Sequence, residues 1–159
     1  MKYAYCYQSP IGALRIIETD DKIIGVDFFD KLSKEHTLME TVLIKKTYQQ
    51  LLEYFAGKRH IFSIDIKLIG TPFQVAVWNQ LIKIPYGQTC SYKYIAQRIE
   101  KPKAYRAVGM ANNRNPISII VPCHRVIGAN GKLVGYGGGL DVKAKLLDLE
   151  KSVLDNLDI

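Results

Sequence analysis

Apolar and polar positions divide the chain into two parts with different rhythms. From Lys2 to Phe29, short runs rich in Tyr, Ile and Val are broken at Gln8-Ser9-Pro10 and at Thr19-Asp20-Asp21, which predicts a small antiparallel meander. Thr37 to Phe55 then carries Leu38, Val42, Tyr48, Leu51, Leu52 and Phe55 at helical spacing and stops at Gly57, a residue suited to the position after a helix. Residues 1–70 contain no motif with recognisable chemistry and read as a structural α/β domain.

Residues 71–159 begin with clear punctuation: Thr71 can cap a helix and Pro72 can occupy its first turn without losing a needed hydrogen bond. Phe73, Val77, Trp78, Leu81 and Ile82 give that helix an apolar face, and Pro85-Tyr86-Gly87 ends it. Ser91 then caps a short predicted helix from Tyr92 to Glu100, closed by Lys101-Pro102. A further helix from about Ala104 to Asn112 buries Ala104, Val108 and Ala111 and leaves Arg106 on another face. Two short helices joined by a tight turn resemble a helix-turn-helix, a pattern shared with helical hairpins that bind nothing.

Charge changes the picture. The net charge is +7, and between Thr71 and Lys132 nine basic residues (Lys83, Lys93, Arg98, Lys101, Lys103, Arg106, Arg114, Arg125, Lys132) face one acidic residue, Glu100. Basic charge gathered on one segment is what a polyanion binder needs, because each neutralised phosphate releases counterions. A hydrophobic share of 48% with 23% charged residues excludes a mainly disordered chain. No apolar run approaches the length that spans a bilayer, and the start lacks a signal-like pattern, so a cytoplasmic protein, neither membrane-bound nor exported, is expected. The three cysteines, Cys6, Cys90 and Cys123, are widely spaced and fit reduced thiols.

Asn115-Pro116 breaks the third helix, and the apolar run Ile117 to Val121, read as extended, leads into Pro122-Cys123-His124-Arg125-Val126. A cysteine beside a histidine is a candidate nucleophile, since a nearby imidazole can draw a thiol pKa from about 8.5 toward neutrality. From the residues alone, an inert core cysteine remains an equal reading. A zinc ligand is a weaker one, because Cys6, Cys90, His36 and His60 have no motif spacing.

The segment from Asn115-Pro116 through Pro122-Cys123-His124-Arg125-Val126, followed by Gly135-Tyr136-Gly137-Gly138-Gly139-Leu140 and Leu146-Leu147-Asp148-Leu149-Glu150, resembles the active-site region of the methylated-DNA–protein-cysteine methyltransferases. Gly87-Gln88-Thr89-Cys90-Ser91-Tyr92 and Arg106-Ala107-Val108-Gly109 match the same family, so the resemblance runs from about Thr71 to Glu150. It implies an α+β fold: a small antiparallel sheet domain with a helix, ribonuclease H-like, followed by a mainly helical, winged-helix-like domain with the helix-turn-helix.

The implied activity is single-turnover repair of double-stranded DNA, moving an alkyl group from O6 of guanine, and also O4 of thymine, to Cys123. The resemblance makes His124 the base, acting through a water and oriented by Glu150. Tyr92 becomes the group that presses on the backbone near the lesion and assists departure of the guanine. Arg106 is the finger that fills the gap left by a flipped base, with Ala107 and Gly109 small enough for close approach in the minor groove. Backbone groups around Cys123, Val126, Gly137 and Gly138 would read the base edge, and Asn115 would brace the turn. No cofactor and no metal are implied, and a monomer is expected. Rival readings are a non-catalytic lesion binder, disfavoured by Cys123, and a helix-turn-helix regulator. Two departures stand out: Tyr105 is bulkier than the small residue many relatives carry beside the arginine, and only Cys6, His36 and His60 precede Thr71, too few for the zinc site some relatives have.

Overall fold

The computed structural model describes residues 1–157 and separates into two compact units, Met1–Leu68 and Ile69–Ile159. In the first, β1 (Lys2–Ser9), β2 (Gly12–Thr19) and β3 (Lys22–Asp27) form the predicted antiparallel meander. Asp20 and Asp21 both take positive φ, 50° and 61°, the geometry of a two-residue hairpin whose twist matches its strands. Ala4, Leu14, Ile16, Ile23 and Val26 are fully buried, and with Ile44, Leu51 and Tyr54 of α1 (Val42–Phe55) they form the core.

Here the structure corrects the sequence reading twice. His36–Leu38 is a strand, β4, paired parallel to the outer edge of β1, and the helix begins only after Thr41, whose hydroxyl accepts from the Ile44 amide at 3.0 Å. The buried face of α1 is Ile44, Thr47, Gln50, Leu51 and Tyr54, while Leu38 and Val42 are 67% and 89% exposed. Backbone pairing to a distant strand outweighed a local helical spacing that would have placed Leu38 on the wrong side of the cap.

The second unit opens with α2 (Pro72–Ile82). Its capping box is complete: the Thr71 hydroxyl accepts from the Gln74 backbone amide at 3.1 Å, and the Gln74 side-chain Oε1 accepts from the Thr71 backbone amide at 3.0 Å. β5 (Cys90–Ser91) leads into α3 (Tyr92–Arg98), capped by Ser91, and α4 (Tyr105–Asn113) follows. α3 ends two residues before the predicted stop, because Glu100 turns into the left-handed region at φ 61°. Trp78, Val77 and Leu81 of α2 are buried with Ile95, Ala96, Val108 and Ala111, and the Trp78 indole donates to the Ala111 carbonyl at 2.8 Å. Ala104 is only half-buried and precedes α4, so its place in the predicted stripe is not kept.

The chain then makes one 3-10 turn, Cys123–Arg125, enters β6 (Val126–Ile127), parallel to β5, and finishes in α5 (Leu140–Leu157). Among the described residues, no helix is long and apolar enough to cross a membrane.

Candidate active site

The loop that carries Cys123 is folded back on itself, where an extended run was expected. Ile119 sits at φ 73°, a conformation β-branched residues rarely accept, and the chain reverses there. Asn115 stabilises the reversal from inside: its Oδ1 accepts from the Ile117 amide at 3.0 Å and its Nδ2 donates to the Val121 carbonyl at 2.8 Å. The Val121 amide donates to the Ile117 carbonyl at 3.0 Å, and the Cys123 amide to the Val121 carbonyl at 2.8 Å. Asn112 of α4 adds a bond to the Cys123 carbonyl at 3.3 Å. Ile117, Ile119 and Val121 are buried, so their apolar character suits this compact turn as well as it would suit a strand.

The turn buries three polar side chains in succession. Cys123 is 4% exposed, His124 0% and Arg125 6%. Burial pushes the Cys123 thiol up to about 11, against the Asn115 hydrogen bond and the Lys143 charge, both of which favour the thiolate. In the resting protein this sulfur therefore carries its proton.

Glu150 of α5 is the hub beneath the turn. Its carboxylate receives Arg125 through two bonds, Nε at 2.9 Å and Nη2 at 3.0 Å, while Arg125 Nη1 reaches the Ile84 carbonyl at 2.8 Å. His124 Nε2 lies 2.6 Å from Glu150 Oε2, and the Gly87 amide donates to Oε1 at 2.9 Å. Burial works to raise the Glu150 carboxyl, but the bonds and charges of His124 and Arg125 outweigh it and hold it at about 2. Burial lowers His124 despite the attraction of Glu150, so the ring is neutral near pH 7. The ion pair is consequently Arg125–Glu150, and the contact to His124 is a hydrogen bond. A neutral imidazole facing an ionised carboxylate keeps its proton on the facing nitrogen, Nε2, which makes Nδ1 the basic one. Gly87 is required here, since it adopts φ 77° and a side chain on it would collide with Leu154 of α5.

Lys143, also on α5, is fully buried. Its ammonium donates to the carbonyls of Val126 at 2.7 Å, Val134 at 2.8 Å and Gly135 at 3.4 Å. Burial lowers its pKa, opposed by the Cys123 sulfur. The Tyr92 hydroxyl donates to the same Val134 carbonyl at 3.0 Å, and burial, with the nearby Cys123 sulfur, raises the Tyr92 phenol.

Cys123, His124, Glu150 and Asn115 are thus brought together, with Tyr92 and Val126 linked to them through the Val134 carbonyl and Lys143. Gly109 of α4 packs against the Tyr92 ring, where a Cβ would find ordinary contact at 3.8 Å. Arg106 and Ala107 are exposed on α4, amid the exposed cations Lys93, Lys101, Lys103 and Arg114. Gly137 is exposed and Gly138 half-buried on the loop before α5. Sequence reasoning assigned no role to Lys143, read Gly87 only as part of a helix stop, and counted Arg125 among the cations of a polyanion-binding segment, whereas its side chain is buried against Glu150. Arg125 stood inside the quoted motif and Gly87 after Pro85-Tyr86, but nothing about a lysine within a helix announced that it would be buried.

A family model described as "6-O-methylguanine DNA methyltransferase, ribonuclease-like domain" matches residues 1–68, and one described as "6-O-methylguanine DNA methyltransferase, DNA binding domain" matches residues 72–152. A methylated-DNA–protein-cysteine methyltransferase of Methanosarcina acetivorans is 47% identical over 154 residues, covering 94% of this chain and 99% of the relative. The constitutive protein of that name from Bacillus subtilis is 45% identical, covering 95% and 96%. The crystal structure of Mycobacterium tuberculosis OGT in complex with DNA superposes with a TM-score of 0.89 at 45% identity, over 95% of this chain and 94% of that one.

Proposed function

Because the chain belongs to the 6-O-methylguanine DNA methyltransferase family, it repairs alkylated DNA by direct alkyl transfer to a cysteine, and we propose that this acceptor is Cys123. The observation that carries the assignment is the buried Cys123-His124 pair set against Glu150, with Nε2 and Oε2 2.6 Å apart.

Glu150, fixed by Arg125 and by the Gly87 amide, orients His124 so that Nδ1 takes the thiol proton through a bridging water. The resulting thiolate attacks the alkyl carbon on O6 of guanine in line with the C–O bond. A carbon–sulfur bond forms, the carbon–oxygen bond breaks with its electron pair passing to guanine, and the base regains a proton with help from the Tyr92 hydroxyl. The thioether formed has no centre that water can attack, so each molecule acts once and needs no cofactor. O4-alkylthymine presents the same oxygen–carbon bond and is a second substrate.

A thiol only 4% exposed is closed to a base stacked in a duplex, which supports extrusion of the base as the way in. Arg106, exposed on α4 among Lys93, Lys101 and Lys103, suits the part of the finger that fills the gap, while Ala107 and Gly109 keep the helix surface low. Backbone groups near Val126, Gly137 and Gly138 would hold the base edge. The partner is double-stranded DNA bearing O6-alkylguanine. Met1–Leu68 serves as a structural unit, one chain supplies every group named, and a cytoplasmic monomer fits the reduced thiols.

Intact-mass measurement followed by peptide mapping tests this reading. After reduced, folded protein is mixed with a duplex containing O6-methylguanine, one methyl group should be gained on the peptide containing Cys123. Absence of that gain, or its appearance on Cys6 or Cys90, would overturn the assignment.

A further inference from the structure

Arg106 does not stand alone on α4. Its guanidinium carbon lies 5.9 Å from the centroid of the Tyr105 ring, and the Lys93 ammonium of α3 lies 5.3 Å from the same centroid. Tyr105 is half-buried, while both cations are exposed. Two like charges near one another repel, yet each is attracted to an aromatic face, whose quadrupole is negative. One ring thus serves two cations across the turn between the helices.

We propose that Tyr105 is a positioning residue for Arg106: its ring holds the guanidinium at the start of α4 in the free protein and stays against it as the side chain enters the gap left by the base. The inference rests on the reading of Cys123 and Arg106 given above. Two physical reasons support it. An arginine side chain has several free torsions, and a ring beside it narrows the set of positions from which the finger starts. A guanidinium is weakly hydrated and stacks on flat π-surfaces, so the Tyr105 ring can keep one side of it while the neighbouring bases take the other, and the contact strengthens as DNA excludes water from it. Lys93 reinforces the direction, since its positive charge disfavours retreat of Arg106 toward α3.

The test compares single-turnover transfer from an O6-methylguanine duplex with transfer from free O6-methylguanine. Tyr105→Ala should slow the duplex reaction about two- to five-fold, the size of what a cation–π contact gains as DNA takes it out of water, and leave the free-base reaction unchanged. Tyr105→Phe, which keeps the ring, should restore the duplex rate. In an Arg106→Ala background, Tyr105→Ala should add nothing, because the residue it serves is gone. Equal slowing of duplex and free-base reactions would overturn the proposal, as would an undiminished cost of Tyr105→Ala without Arg106, or failure of Tyr105→Phe to restore the rate. If wild-type protein transferred from neither substrate, the assignment of Cys123 would fall, and this inference with it. The duplex-specific outcomes with active wild type bear on Tyr105 alone.

Discussion

The two units bury polar groups in contrasting ways. In Met1–Leu68 the buried polar side chains are Glu18, Thr47 and Gln50, bonded locally, as when Gln50 spans to Ser63 at 2.9 Å and 3.0 Å, and ion pairs such as Arg15–Asp27 lie toward the surface. In Ile69–Ile159, His124, Arg125, Lys143 and Glu150 are all within the core. Withdrawing charges from water costs several kcal/mol per ion unless geometry compensates, and apolar residues of the same volume would often serve stability as well. The first unit holds one such group, Glu18, which accepts from the Thr41 hydroxyl at 3.2 Å. The charges of the second are clustered and surround the loop that carries Cys123, the kind of arrangement that marks a candidate site.

The comparison breaks most completely at the sulfur. Cys123→Ser should abolish transfer while DNA affinity, measured by titration with labelled duplex, stays nearly unchanged, because the exposed cations are elsewhere on the unit. Equal loss of both would mean that residue 123 acts through the fold. Next in size, Glu150→Ala leaves Arg125 as a buried charge without its carboxylate and should destabilise the second unit by about 3–5 kcal/mol. Trp78 is the only tryptophan and is buried in that unit, so its fluorescence during urea unfolding reports the loss. A shift below about 1 kcal/mol would show that the cluster is not a structural support.

Acid should act on the same groups. Glu150 titrates lower in the folded chain, at about 2, than its ordinary value of 4.5, so its contribution is present above 4.5 and disappears as pH falls toward 2. His124 is likewise lowered, so stability begins to fall as pH drops below 6.5, where the unfolded ring takes a proton that the folded ring refuses. The Trp78 transition should weaken through this whole range, by on the order of a few kcal/mol; a flat profile from pH 7 to 4 would contradict the buried neutral imidazole. The smallest effect belongs to the first unit. Tyr7→Phe removes the 2.6 Å bond to Glu40 but keeps the stack on Tyr48, and should cost about 0.5–1.5 kcal/mol without altering the transfer rate. A slower transfer would show that this unit does more than fold.

Much of this was legible in the order of residues. Thr71-Pro72 announced α2, Ser91 announced α3, and the breaks around Pro10 and Asp20 announced the hairpins, because caps and turns are local chemistry. What escaped was non-local. β4 exists only because β1 offers an open edge, and the reversal at Ile119 exists because Asn115 bonds both of its arms. Cys123 with His124 and Glu150 came from a resemblance, and their proximity then followed from the structure. Lys143 and Arg125 could not be placed in a core by any pattern that assigns charged residues to the surface.

Lys143 carries one more consequence. A small cation ringed by carbonyl oxygens from Val126, Val134 and Gly135 is the arrangement by which calcium ties loops in other proteins, but here the cation is covalently part of the chain. Its occupancy is fixed at translation, so chelators and ionic composition have no hold over the segment that runs up to α5. Only chemistry on the amine itself, such as acylation of a transiently opened molecule, would untie it.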